Sequence, residues 1–106
     1  MTVDQLIGKV YNRLKNKDFQ QAQGRTAIQV NLTGKIGGVF YIEILDGVLS
    51  VMPYEYIDRD AAISATMTNV DKLLTGRLDL MTAVSEGKVK VDGDLEKVQY
   101  LTALTK

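Results

Sequence analysis

The sequence predicts an α+β fold, a five-stranded and mostly antiparallel sheet with helices packed on one face. Three observations lead to this prediction. Apolar residues recur at helical spacing near both ends of the 106-residue chain. Through the middle they alternate with polar residues, as in half-buried strands. The strand patterns follow one another without an intervening helix up to residue 67, so strands and helices are segregated along the chain.

The first helix is predicted over residues 3 to about 16. Thr2 and Gln5 have the spacing of a capping box, in which the hydroxyl and the amide each bond to the other residue's backbone. The apolar stripe that follows consists of Val3, Leu6, Ile7, Val10 and Leu14. Three cations lie along its flank: Lys9, Arg13 and Lys17. This basic edge predicts transient contact with an anionic membrane. The alternative interpretation is that the helix packs on the core and exposes its basic edge to solvent.

Four strands are predicted between residues 26 and 67. Alternation indicates strands over residues 26–32, 38–45, 48–52 and 60–67. Asp46-Gly47 predicts a two-residue hairpin turn, because both positions of that turn need a positive φ. Pro53, the only proline, ends the third strand, and a polar loop follows from Tyr54 to Arg59.

The rest of the chain predicts three helices and one strand. The helices cover residues 68–75, 79–86 and 94–104, and the strand covers residues 88–92. Gly76 and Gly87 end the first two helices, while Asp79 and Asp94 are suited to cap the second and third. The last helix is expected to be a lid whose packing loosens towards Lys106, because its apolar residues repeat every three positions.

Composition excludes several function classes. With no Cys and no His, the chain has no thiol nucleophile, imidazole base, disulfide or ordinary zinc site, and we expect neither a cofactor nor a metal. Thirteen basic and thirteen acidic residues leave no net charge, which argues against nucleic-acid binding. Residues 1–106 are expected to form a single domain, and the absence of a signal-peptide pattern predicts a cytoplasmic location.

Catalysis is not expected. Two acidic pairs suggest acid–base chemistry or a cation site: Asp58 with Asp60, and Asp92 with Asp94. Asp60 instead begins a strand and Asp94 occupies a helix-cap position. No base accompanies Ser50, Ser64 or Ser85, so these serines are not predicted nucleophiles.

The second half of the chain resembles the sterol carrier protein type-two family. The resemblance is carried by Leu73-Leu74-Thr75-Gly76-Arg77-Leu78 and by Glu86-Gly87-Lys88-Val89-Lys90-Val91-Asp92-Gly93-Asp94-Leu95. The first half is similar more loosely, from Gly38 to Ile44 and at Asp46-Gly47. The family often has Pro and Phe in the helix at residues 79–84 and Trp at the position of Phe40. Because this chain differs from the family at these positions, the resemblance does not indicate which ligand it binds.

This resemblance implies a sheet with helices over one face and an apolar tunnel between them, which binds and transfers a fatty acid, fatty acyl chain or sterol-like or isoprenoid-like lipid. The expected lipid contacts are Phe40, Ile42, Leu73, Leu74, Met81, Val84, Leu101 and Leu104. Such residues also form ordinary closed cores, and that alternative stays open. A second function is an accessory interaction subunit for a lipid-metabolising enzyme or biosynthetic complex.

Overall fold

The computed structural model describes residues 1–19 and 24–106, and the order of elements matches the prediction. The helices are α1 (Val3–Leu14), α2 (Met67–Leu73), α3 (Leu80–Ser85) and α4 (Leu95–Leu104). The strands are β1 (Arg25–Thr33), β2 (Gly38–Leu45), β3 (Val48–Met52), β4 (Ala61–Thr66) and β5 (Lys90–Gly93). The first helix ends at Leu14 rather than near residue 16, and the other bounds agree within a few residues.

Local interactions explain why several elements begin where the sequence indicates. Thr2 and Gln5 form the complete capping box at the start of α1. At the start of α3 the carboxylate of Asp79 accepts the backbone N–H of Thr82, and at the start of α4 the carboxylate of Asp94 accepts the backbone N–H of Lys97. In the β2–β3 turn, Asp46 has φ 49° and its following glycine φ 83°, as a two-residue hairpin requires.

The five strands form one mixed sheet in the order β3-β2-β1-β4-β5. Among these five described strands, β1 pairs with β4 in parallel, and the pairings β1–β2, β2–β3 and β4–β5 are antiparallel. The predicted α+β class and mostly antiparallel sheet are therefore confirmed. The connection from β3, at one edge of the sheet, to β4 is formed by residues 53–60, which cross one face of the sheet as a loop and not as a helix. Tyr56 in this loop contacts Tyr41, with their ring centroids 5.0 Å apart.

The two faces of the sheet are covered differently. Alternate side chains, exemplified by Ile28 on β1 and Ile63 on β4, point into the core that the helices cover. The opposite face carries polar groups such as Gln29, whose side-chain oxygen accepts the backbone N–H of Tyr56 at 2.9 Å. The apolar layer where a ligand is expected therefore lies on the helix side of the sheet.

Candidate functional site

The structure brings five of the eight expected lipid contacts together in the core between sheet and helices. They come from β2, α2 and α4: Phe40, Ile42, Leu73, Leu74 and Leu101. None has more than 1% of its surface exposed. In this conformation these side chains are closed against one another, as in an ordinary core.

The other three expected contacts lie further out. Val84 and Leu104 are partly buried and pack against the same core. Met81 is 46% exposed and borders a groove of about 180 Å³ between α3 and α4. Leu80 also borders this groove, although it is only 4% exposed and belongs to the core. The floor of the groove is thus formed by a core side chain.

Within residues 1–19 and 24–106 the structure does not show the apolar tunnel that the resemblance implies. Each of the five core side chains of the expected site has at most 1% of its surface exposed to water. Space for a further apolar group between these closely packed side chains requires the surrounding elements to move apart. Sequence alone could not reveal this, because open and closed layers use the same residue types.

The end of α4 is held in place, contrary to the expectation that its packing loosens towards Lys106. Thr105 is fully buried, and its hydroxyl donates to the carbonyl oxygen of Thr102 at 2.7 Å and also lies 3.3 Å from the carbonyl oxygen of Leu73. The carbonyl of Thr105 accepts a hydrogen bond from Arg13 Nε at 2.7 Å. Lys106 forms an ion pair with Asp79 at 3.3 Å. The C-terminus therefore fastens α4 to α1, to α2 and to the start of α3.

Two of the three cations expected on the basic edge of α1 have partners inside the fold. Arg13 binds Thr105, and Lys9 Nζ lies 2.9 Å from a carboxylate oxygen of Asp71. Asp71 is also 2.7 Å from Arg77. Burial raises the pKa of Asp71, but hydrogen bonds from Lys9 and Arg77 outweigh burial and leave that pKa below its usual value. Asp71 was not predicted from the sequence, because Lys9 lies on α1 and Arg77 lies beyond the end of α2.

Asp60, considered above as half of an acidic pair, has a structural role. It accepts the backbone N–H of Ala27 at 2.8 Å and pairs with Arg25 and Lys97, each at 3.2 Å. Burial raises the pKa of Asp60, but these bonds to Ala27, Lys97 and Arg25 lower it by more. The carboxylate thereby joins β1 to the start of β4 and to α4, while Asp58 is exposed.

Two further observations concern only the described residues. They contain no group of three or more acidic, His or Cys side chains arranged to hold a metal ion. No helix in residues 1–19 or 24–106 is long and apolar enough to cross a membrane.

The fold and its apolar layer can now be compared with known proteins. The sequence model of the SCP-2 sterol transfer family matches residues 4–106. The chain belongs to this family. No curated protein matches the sequence significantly.

Solved SCP-2 structures share the fold over nearly the whole chain. Sterol carrier protein 2 from Aedes aegypti, in complex with the C16 fatty acid palmitate, has 20% sequence identity and a TM-score of 0.74. The match covers 99% of this chain and 96% of that one. The ubiquinone synthesis protein UbiJ-SCP2 has 20% identity and a TM-score of 0.72, and 96% of this chain matches 87% of it.

An SCP-2 fold is also found within a larger enzyme. A double mutant of the sec-alkyl sulfatase PisA1 has 24% identity and a TM-score of 0.77, and 98% of this chain matches it. The chain spans only 16% of that enzyme's length. At these identities the structural matches establish the shared fold, whereas the ligand has to be inferred from the site.

Proposed function

We propose that this protein is a cytoplasmic, non-catalytic carrier that binds one lipid chain between its sheet and helices and transfers it. The observation that supports this most directly is full-length similarity to a palmitate complex, within a family named for sterol transfer. The class of ligand is a fatty acid, a fatty acyl chain or a sterol-like or isoprenoid-like lipid.

The apolar layer provides the physical basis for binding. Phe40 and Ile42 form the sheet side of this layer, and Leu73, Leu74 and Leu101 form the helix side. Separating the two sides exposes apolar surface, and an acyl chain inserted between them replaces the lost contacts. Each methylene removed from water stabilises the complex by about 0.8 kcal/mol, or about fourfold in affinity. Affinity is therefore expected to rise with chain length until the space is full.

The groove between α3 and α4 is the proposed entry to this layer. Its floor is Leu80, which belongs to the core, and Met81 lies at its rim. Methionine adapts its shape easily, which suits a position that different lipids pass. Val84 and Leu104, which are partly buried against the core, are proposed to contact the bound chain as well.

Displacement of a fluorescent fatty acid by fatty acids of increasing length tests the proposal. Met81→Asp should weaken binding at least tenfold, because the carboxylate lies where the apolar chain enters. It should leave the fold intact, because Met81 is 46% exposed. The matched control is Met52→Asp, since Met52 is 44% exposed and lies on β3.

Equal affinity for all chain lengths would contradict burial of the chain. Equal loss of binding in the two methionine variants would contradict entry between α3 and α4. Circular dichroism of both variants checks that binding is compared between folded proteins.

Transfer also requires contact with a donor or acceptor membrane, and α1 is proposed to provide it. Because Lys9 and Arg13 have partners within the fold, the proposed contact is assigned to the end of α1, where Lys15 caps the helix and is exposed and Lys17 lies just beyond it, partly exposed. Each lysine near an anionic surface contributes about 1 kcal/mol, and salt reduces this contribution.

An accessory role beside an enzyme is a second candidate. It is favoured by similarity to part of a sec-alkyl sulfatase and to a ubiquinone synthesis protein. Native mass spectrometry after gentle purification separates the two functions. Co-purified lipid supports the carrier, whereas a stable complex with an enzyme and no lipid supports the accessory subunit.

A further inference from the structure

The two edges of the sheet differ in how they are protected against pairing with another chain. An unpaired edge strand tends to add a further strand, and natural proteins usually block it with charges, bulges or very short strands. At one edge, the four residues of β5 include Lys90, Asp92 and Gly93. At the other edge, β3 contains only Val, Leu, Ser, Val and Met. The β3 edge therefore lacks the protection that β5 has.

Backbone groups of β3 are free to accept a strand. The two-residue turn at Asp46-Gly47 makes Leu45 and Val48 a hydrogen-bonded pair, and bonded and non-bonded pairs then alternate. This alternation directs the N–H and C=O groups of Leu49 and Val51 away from β2. In the described part of the chain, neither residue has a backbone hydrogen bond outside the sheet.

Exposed apolar side chains accompany this edge on the sheet face opposite the helices. We define the β3 patch as Leu45, Val48 and Met52 together with Tyr54, which follows the strand. Val48 is 64% exposed and Tyr54 is 60% exposed. Leu45 pairs directly with Val48 across the turn, so their side chains share one face. The edge thus offers both backbone and apolar contacts.

Acidic residues flank the β3 patch and indicate what covers it. Asp46 precedes the strand and Glu55 follows it, and both are exposed. Among the described residues neither carboxylate has an ion-pair partner. In an antiparallel pairing of two copies, Asp46 of each copy would approach Glu55 of the other. This repulsion disfavours a second copy and favours a basic partner.

We propose that β3 binds an extended segment of a partner protein, which adds one strand to the sheet. The segment has alternating apolar side chains and Lys or Arg at both ends. The backbone of Leu49 and Val51 provides the hydrogen bonds, the β3 patch holds the apolar side chains, and the acidic residues at both ends of β3 select the basic ones.

A labelled synthetic peptide tests this interaction on the full-length protein. The probe alternates valine and threonine between paired lysines at its two ends, and a second peptide has glutamates in place of the lysines. We expect the basic peptide to bind at least about tenfold more tightly than the acidic one by fluorescence anisotropy. Its binding should weaken with salt and slow amide exchange at Leu49 and Val51.

Val48→Lys/Met52→Lys should weaken binding of the basic peptide at least about tenfold, because it introduces like charge and removes apolar contact. Both positions are exposed, so the fold should persist. The matched control is Ile36→Lys/Leu95→Lys, at positions 51% and 37% exposed; Ile36 lies between β1 and β2, and Leu95 lies on α4, which packs against β1, β4 and β5. This control should bind the basic peptide like the wild type.

Three outcomes would overturn the proposal. The first is that both peptides bind equally well or that neither peptide binds. The second is equal binding by the β3 variant and its control. The third is a dimer in sedimentation velocity that Val48→Lys/Met52→Lys abolishes, since a second copy would then occupy the edge.

Discussion

The contact between Gly76 and the C-terminus can be tested by adding a single methyl group. Gly76 has φ +78°, in the left-handed region that favours glycine. A Cβ at this position would lie 2.6 Å from the carbonyl oxygen of Thr105 and 3.0 Å from Arg13 Nη2. Gly76→Ala should therefore strain the backbone and also push the C-terminal turn outward.

Gly87 provides a matched control for the backbone strain. Its φ is +75°, and nothing lies within 4 Å of the Cβ that alanine would add. Gly87→Ala should cost about 1 kcal/mol, the usual penalty for placing alanine in the left-handed region. The difference between the two variants then measures the steric contact alone.

The free-energy cost of this steric contact can be estimated from the interactions that the displaced turn would lose. Thr105 is fully buried, and its carbonyl accepts the hydrogen bond from the Arg13 guanidinium. A hydrogen bond to a charged group contributes about 1.5–3 kcal/mol, so Gly76→Ala should cost about 2 kcal/mol more than Gly87→Ala. In a domain of this size, that difference lowers Tm by about 8 °C or more.

Urea unfolding and thermal melts of the two variants measure this difference, and amide exchange locates it. Exchange should accelerate in the last turn of α4 for Gly76→Ala and stay unchanged there for Gly87→Ala. Equal destabilisation by the two substitutions would refute the reasoning, because the C-terminal turn would then not press against Gly76.

Two other predictions concern charged groups of α1 and its surroundings. Asp71→Asn should lower the urea midpoint at neutral pH and reduce its acid dependence. The folded-state pKa of Asp71 lies below the unfolded value, so its stabilisation is present above about pH 4 and is lost as the pH falls through the folded pKa. Asp92→Asn, at an exposed position, is the control, and identical acid profiles would contradict the role of Asp71. Lys15→Glu/Lys17→Glu should slow lipid transfer to anionic vesicles several-fold at low salt and little at high salt. Lys35→Glu/Lys90→Glu alters two exposed lysines elsewhere, and equal slowing by both pairs would argue against contact through α1.

The sequence by itself determined the order and kind of the elements. These features depend on interactions between neighbours in the chain: the Thr2–Gln5 capping box, the turn at Asp46-Gly47 and the cap at Asp79 each involve residues within three positions. Alternation of apolar residues likewise assigned Phe40 and Ile42 to one face of β2, because a strand directs successive side chains to opposite sides. The family motifs in the second half then predicted how these elements combine into one fold.

Only the tertiary structure decided how distant residues meet. The hydrogen bond from Arg13 to Thr105 joins residues 92 positions apart, so no local pattern could indicate that this cation is engaged. Residue type could not decide whether the layer around Leu101 is open or closed, since the same apolar side chains can pack against one another or against a lipid. Nor could it place Met81 at a groove rim, because that depends on how α3 and α4 lie against each other.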